Sequence, residues 1–308
     1  MDARRLRVFL AIVDEGGFGR AADHLHLAQP SLSQTIAGLE RELGVPLFHR
    51  VGRRAVLSSA GEQLVEPARR VLRDLDAAAD AARATRGLRR GRLDLVSMPS
   101  VGIEPLGALL RDLTTAHPGL RVRVGGAFTA EEVVAAVRDG SAEVGLLGAA
   151  GDPPAPGLLA VPLAPQRFVV LAAPGTDLGG GARGAEATAG TDAPVGPDAL
   201  RGRRFVASQE GSLMRRLLDD LAGPGGDPAV VVEVDHRTSV LPLVLAGVGL
   251  ALVPDSWSAL ARAAGAAVHP LADSPELAVR LVHRSAHLTP AAQALLAIAR
   301  RTAPEQRR

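Results

Sequence analysis

The chain of 308 residues contains no cysteine, no lysine, no tyrosine and no asparagine, and aromatic residues make up only 2% of it. Without cysteine there is no disulfide, no thiolate metal ligand and no cysteine nucleophile. No apolar run reaches the ~18 residues of a membrane-spanning helix, and the first residues carry no signal peptide. A soluble, intracellular protein is therefore expected, cytoplasmic and without a membrane partner. With lysine and tyrosine both missing, almost nothing titrates between about pH 8 and the arginines. A net charge of only +2 thus yields a pI near 10.5.

Catalytic signatures are missing too. No G-x-S-x-G, Walker A or H-E-x-x-H pattern occurs. Gly179-Gly180-Gly181-Ala182-Arg183-Gly184 formally matches G-x-G-x-x-G, but it lies in a glycine-rich stretch with no helix start after it, so it does not read as a dinucleotide site. His24 and His26 stand two apart near a helix end, and His283 and His287 straddle a strand end and a turn. Both pairs read as surface residues. No catalytic residue, no metal and no cofactor are expected.

What is present is ample core material: 47% of the residues are hydrophobic, and the length suits two or more domains. Charge is uneven. Residues 1–65 hold 8 arginines against 7 acids, residues 66–92 hold 8 against 4, and residues 93–308 hold 19 against 22. Positive charge gathers at the N-terminal end and its neighbour, as phosphate binding requires.

Leu6, Phe9, Leu10 and Val13 recur at helical spacing, and Asp14-Glu15-Gly16-Gly17 ends that helix. Ala21, Ala22 and Leu25 mark a second short helix whose small residues permit close packing. His26 to Gln29 form a turn, and Pro30 opens a third helix with Leu32, Ile36, Leu39 and Leu43 as its buried stripe. Its other face is short and polar. Gln can bond adenine at two points, Ser and Thr can bond several base edges, and the N-terminal end of a recognition helix lies nearest the bases. Gln29, Pro30, Ser31, Ser33 and Gln34 are the candidates for groove contact. Two short apolar segments, Leu47-Phe48-His49 and Ala55-Val56-Leu57, then flank a basic glycine turn. This is a wing, and Arg50, Arg53 and Arg54 suit phosphates, which position a protein without reading sequence. Ser59-Ala60-Gly61-Glu62 fits a capping box opening the next helix.

The runs F-L-A-I-V-D-E-G-G-F-G-R-A-A, L-H-L-A-Q-P-S-L-S-Q-T-I, L-E-R-E-L-G-V-P-L-F-H-R and G-R-R-A-V-L-S-S-A-G-E resemble the N-terminal domain of LysR-type transcriptional regulators, over about 60 residues almost without gaps. The family usually has Ser at Gly17, a helix-capping position, and Thr at Ser58. The resemblance implies double-stranded promoter DNA as partner, self-association into a dimer and further into a tetramer, and RNA polymerase as a further partner.

From Glu62 to Arg86 there is no Gly, and the only Pro is Pro67, in the first turns. Leu64, Ala68, Val71, Leu75, Ala78 and Ala82 alternate by four and three, a coiled-coil seam widened by Leu72 and Ala79. The resemblance makes residues 62–87 the dimerising linker helix, after a winged helix-turn-helix at 1–61. Thr85 to Arg92 reads as a basic hinge.

Beyond it, strands alternate with helices through residues 88–308, implying parallel sheet layers in an α/β domain. Pro153 to Pro165, with five prolines, breaks the pattern as a crossing between subdomains would. The segments A-H-P-G-L-R-V-R-V, R-D-G-S-A-E-V-G-L-L and V-L-A-G-V-G-L-A-L-V-P-D resemble the periplasmic-binding-protein-like effector domain of the same family. That implies two α/β lobes, the first at about 92–161 and 268–301, the second at about 162–267, with a ligand cleft between them. Ligands of such sheets sit at the carboxyl ends of strands. Ser97 to Val101, Phe128-Thr129, Ala207-Ser208-Gln209 and Arg237-Thr238-Ser239 meet that rule. By resemblance Ser100, Thr129, Ser208 and Thr238 are effector contacts, and Val101, beside Ser100, is counted with them as an effector-binding residue. The effector would be a small molecule, a carboxylate or another small polar anion. Some family members carry Arg where this chain has Gly148, and Arg237 could supply the charge instead.

The sequence thus points to a ligand-responsive, DNA-binding regulator. The alternative is an enzyme or a solute-binding α/β protein carrying an accessory DNA-binding module; the absent catalytic motifs and signal peptide weigh against it.

Overall fold

The computed structural model describes residues 1–51, 54–84, 91–151, 157–176, 178, 194–222, 229–286 and 288–302. Its first unit is the expected winged helix-turn-helix: α1 (Ala3–Asp14), α2 (Phe18–Leu25), α3 (Gln29–Leu43) and the hairpin β1 (Phe48–Val51) and β2 (Arg54–Leu57). Asp2 caps α1 by accepting from the Arg5 N–H at 2.9 Å. The first helix buries Leu6, Val8, Phe9, Leu10 and Ile12, a wider face than the expected stripe, while Val13 is only half-buried. The cause is α4 (Ser59–Ala84), which covers α1 on a side that α2 and α3 leave open. Phe9, Phe18 and Phe48 meet as an aromatic trio, with ring centroids 5.6 and 5.5 Å apart around Phe48.

The capping residue of α4 is Ser58, one position before the expected box. Its Oγ accepts from the Gly61 N–H at 3.0 Å and donates to the Pro46 carbonyl at 2.6 Å. The seam along α4 also divides. Leu64, Ala68 and Leu72 pack into the helix-turn-helix core of their own chain, whereas Val71, Leu75 and Ala78 are exposed. The side chain of Ala82 and most of the hinge lie outside the described residues.

The second unit contains β3 (Gly91–Ser97), α5 (Leu106–Ala116), β4 (Leu120–Gly126), α6 (Ala130–Asp139), β5 (Val144–Ala149), β6 (Leu158–Pro162), β7 (Phe168–Ala172), α7 (Pro197–Leu200), β8 (Arg204–Ser208), α8 (Leu213–Ala222), β9 (Ala229–Val234), α9 (Val240–Leu245), β10 (Ala251–Pro254), α10 (Ser258–Ala263), β11 (Ala267–Pro270), β12 (Ala278–Arg284) and α11 (Pro290–Thr302). The first lobe is a five-stranded sheet in the order β4-β3-β5-β12-β6. The second joins the three-stranded β10-β7-β11 to the parallel pair β8-β9 through a bridge between Phe205 and Leu250.

Three expectations change here. The sheets are mixed rather than parallel: β3 runs parallel to β4 and β5, but β12 is antiparallel to β5 and β6, and β7 is antiparallel to β10 and β11. The reversed strands are those that enter or leave a lobe, where no crossover helix fixes direction. The proline-rich segment contains β6, an edge strand; an edge tolerates Pro162 because one side of its backbone needs no ladder partner. Finally, residues 268–271 belong to the second lobe, since β11 pairs with β7, so the chain recrosses between Leu271 and Ala278 instead of before Val268.

Glycine permits one close approach at the heart of the first lobe. A Cβ at Gly145 would lie 2.4 Å from Val133 of α6 and 2.9 Å from Val282 of β12. Below it, the buried Glu143 accepts from the Thr289 N–H at 3.2 Å and hydroxyl at 2.9 Å, and Thr289 in turn caps α11 through the Ala292 N–H.

Candidate nucleic-acid interface and interlobe cleft

Helix α3 is held from beneath and free above. Leu32, Ile36 and Leu39 are 3% exposed or less, while Gln29, Pro30, Ser31 and Gln34 are exposed and Ser33 is half-buried. The helix starts at Gln29, one residue before the expected opening at Pro30, so Gln29 occupies its first turn. No side chain caps this end. The Ser31 and Leu32 N–H groups donate to the Ala28 carbonyl at 2.9 and 3.4 Å, and the positive dipole end of the helix faces outward with the glutamines and serines. The Thr35 hydroxyl donates to the Ser31 carbonyl at 2.8 Å and is engaged within the helix.

The wing is fixed to this helix by one carboxylate. Glu40 Oε1 accepts from the Leu47 N–H at 2.7 Å and the Phe48 N–H at 3.2 Å, where the chain turns into β1. In the hairpin Arg50 pairs with Ala55 and Val51 with Arg54, so both arginines flank the tip. Arg53 lies outside the described residues. The same face is braced by Arg5 on Glu42 at 2.6 Å, and the α1–α4 angle by Arg69 on Asp14 at 2.7 Å. These exposed pairs contribute little energy each, but they fix orientation. Gly17 precedes α2 with no side-chain cap, in open space.

The cleft between the lobes has a volume of about 440 Å³ and is lined by Met98, Phe128, Thr129, Gly148, Leu213 and Arg216 among others. Of the five expected effector residues only Thr129 lines it. The Thr129 hydroxyl already accepts from the Glu132 N–H at 3.1 Å, capping α6, while Glu132 accepts from the Phe128 N–H. Ser100 and Val101 form a 3-10 turn after β3 and are buried at 2% and 0% exposure. They stand behind the cleft lining, and Ser100 Oγ has no hydrogen-bond partner. Ser208, at the end of β8, and the exposed Thr238, in the 3-10 turn before α9, are not in the lining. Ser212 is the residue that caps α8, buried and accepting from the Arg215 N–H at 3.2 Å. Its place directly before the amphipathic stretch of Leu213 to Leu221 was the available signal.

Gly148 is crowded by one side chain: a Cβ there would sit 3.0 Å from Leu277, which would have to give by a few tenths of an ångström. Arg237, by contrast, is buried at 8% exposure in a 3-10 turn before α9. Its Nη1 donates to Met214 Sδ at 2.9 Å, and burial drives its pKa down to about 10.

Of the histidines, His24 pairs with Glu15 at 3.1 Å. His283 is not the solvated residue expected: it is 3% exposed, with Nδ1 2.7 Å from the Arg284 carbonyl, because the strand carrying it extends to Arg284. His287 and the Gly179–Gly184 stretch lie outside the described residues. Among the described residues no cluster of three or more metal-ligating side chains occurs, and no helix is long and apolar enough to cross a membrane.

Residues 3–62 match the family described as bacterial regulatory helix-turn-helix protein, lysR family, and residues 86–304 match the LysR substrate binding domain. The chain is 33% identical over 298 residues to the HTH-type transcriptional regulator IlvR of Caulobacter vibrioides, covering 96% of each. It is 30% identical to the HTH-type transcriptional regulator TfdS of Cupriavidus pinatubonensis, covering 98% of each. The crystal structure of full-length CbnR complexed with its target DNA shares the fold, with a TM-score of 0.68 and 24% identity over 98% of this chain and all of that one. A winged helix-turn-helix, a long linker helix and a two-lobed domain, all in the order and extent of these regulators, place the chain in the LysR family of DNA-binding transcriptional regulators.

Proposed function

We propose that α3 reads promoter bases through Gln29, Pro30, Ser31, Ser33 and Gln34, while Arg50, Arg53 and Arg54 of the wing hold the flanking phosphates. The observation that carries this reading is the division of α3 into a buried stripe and an exposed polar N-terminal face. The protein acts as a dimer through α4, and as a tetramer by pairing of dimers. In support, Val71 and Leu75 are 42% and 47% exposed within one chain, an apolar strip beyond the part that packs on α1. A small-molecule effector, a carboxylate or another small polar anion, enters the cleft beside Thr129. Closure of the lobes changes the angle between subunits, and so DNA bending and contact with RNA polymerase, by favouring one of two assembly states. The protein works in the cytoplasm and catalyses no reaction.

Gel-shift titration of the purified protein on the duplex upstream of its own coding sequence tests the reading. Affinity should fall linearly on a log–log plot against salt, and specific DNA should outcompete random duplex. Equal affinity for both at low ionic strength would remove base reading from α3.

A further inference from the structure

Two crossing segments join the lobes: residues 163–167 between β6 and β7, and residues 271–277 between β11 and β12. A change of angle between two packed lobes is absorbed in such connections, because the sheets on either side move as rigid bodies. The first segment is tied to the first lobe at one end, where the Leu163 N–H donates to the Val279 carbonyl at 2.9 Å. At its other end it is tied to the second lobe. There the Arg167 N–H donates to Asp255 Oδ2 at 3.2 Å, and the Arg167 carbonyl accepts from the Asp255 N–H at 2.7 Å. Gln166 stands between these ties. Its backbone pairs in both directions with Leu277 of the other crossing segment, at 3.0 and 2.8 Å.

The Gln166 side chain reaches both lobes. It is 7% exposed. Nε2 donates to the Glu104 carbonyl of the first lobe at 2.8 Å, and Oε1 accepts from the Ser256 hydroxyl of the second lobe at 3.1 Å. The partners fix the sense of the amide: a carbonyl can only accept, so the NH2 group must face Glu104. Leu163, Leu271 and Leu277 of the same two segments are buried apolar residues, so burial alone does not call for an amide at position 166. An amide bonded to one lobe by its nitrogen and to the other by its oxygen fits one angle between them. Turning either lobe breaks one of these bonds in a buried place, where an unmade hydrogen bond is costly. The cleft reaches the same junction: Glu276, beside Leu277, lines it, and so does Gly148, which Leu277 crowds.

We infer that Gln166 is a positioning residue, a latch that holds the two lobes at this angle until an occupant of the cleft outweighs its two hydrogen bonds. The part the latch plays in regulation rests on the proposed closure of the lobes; the latch itself does not. Loss of both bonds should change the ratio of lobe arrangements by about tenfold.

The lack of cysteine allows a direct test, since Thr115→Cys in α5 and Ala263→Cys in α10, both exposed, place one dye on each lobe. Labelled full-length chains are diluted into an excess of unlabelled protein, so that each assembly carries one dye pair, and single-molecule energy transfer reads the distance between the lobes. The otherwise unaltered protein should show one dominant distance. Gln166→Met, similar in length and without either bond, should populate a second distance about tenfold more. Ser256→Ala, which cuts only the bond to the second lobe, should move the distribution the same way by less, and adding it to Gln166→Met should change nothing further. Thermal unfolding of the same variants separates a latch from a packing role. An unchanged distance distribution in Gln166→Met overturns the inference, whether its unfolding midpoint falls or holds. A distribution unmoved by Ser256→Ala also overturns it, whether or not Gln166→Met folds. Neither ligand nor DNA takes part, so these outcomes are independent of the regulatory reading. If the second distance appears in Gln166→Met while its footprint on the promoter duplex stays unaltered, the closure reading fails and the latch stands.

Discussion

At the scale of single residues, two side chains allow sharp tests. Gln29 occupies the exposed first turn of α3, and the proposed function gives it a bidentate contact with adenine that would carry sequence information. Gln29→Ala should cost about 1–3 kcal/mol of discrimination between specific and random duplex while leaving random binding nearly unchanged. Arg54→Ala should weaken both alike and reduce the salt slope by about one. Competition gel shifts at several salt concentrations separate the two; a loss confined to the specific duplex in Arg54→Ala would mean that this arginine reads bases. Glu143 tests burial instead. Desolvation raises its pKa, opposed by the hydrogen bonds from Thr289. The folded carboxyl therefore keeps its proton to higher pH than the unfolded one. Its contribution to stability is fullest below the unfolded pKa and is lost as pH rises through the folded value. As pH rises above the ordinary glutamate range, wild type should lose stability relative to Glu143→Gln, as measured by urea unfolding at each pH. A difference that is flat, or that grows in favour of wild type with pH, would contradict the assignment.

At the scale of elements, the junction of wing and linker is the tightest point of the DNA-binding unit. A Cβ at Gly61 would lie 2.2 Å from the Leu47 carbonyl, an atom held by the Ser58 N–H at 2.9 Å and unable to yield. Gly61→Ala should therefore destabilise the unit by about 2 kcal/mol or more and abolish DNA binding before the effector domain unfolds, seen as two separated transitions in calorimetry. A single unshifted transition would show the junction to be pliable. The helices around this point were legible in the sequence because each carries its own period and end signals, as Leu32, Ile36 and Leu39 with Gly44 do for α3. The effector domain was legible as alternating elements but not in strand direction. Nothing local to β12 states that its partners run antiparallel, and β6 hides among prolines. The cleft was least legible. Ser208 and Ser212 are four residues apart and chemically alike, and only the point where α8 begins decides which one meets a helix end. Periodicity likewise marks every apolar position of α4 but cannot say that Leu64 and Ala68 are consumed by α1 while Val71 and Leu75 are not.

At the scale of the whole molecule, that last distinction decides how one recognition helix becomes a regulator. A single α3 reaches one major-groove segment, whereas a two-fold protein reads two half-sites an integral number of turns apart. The exposed part of α4 supplies the only apolar strip on that helix among the described residues, and it lies on the element that joins the DNA-binding unit to the effector domain. Pairing there would transmit any change of lobe angle directly to the spacing of the two α3 helices. Leu75→Asp places a charge in the middle of the strip, distant from the α1 contact made by Ala68 and Leu72. It should leave both folded units at their normal unfolding temperature, shift sedimentation from the assembled species to the monomer, and reduce affinity for the two-half-site promoter to that for one half-site. Affinity for an isolated half-site should not change, because α3 and the wing are untouched. If Leu75→Asp remained assembled and bound both half-sites as wild type does, pairing would have to lie in the effector domain, and α4 would be a spacer and not the hinge between ligand and DNA.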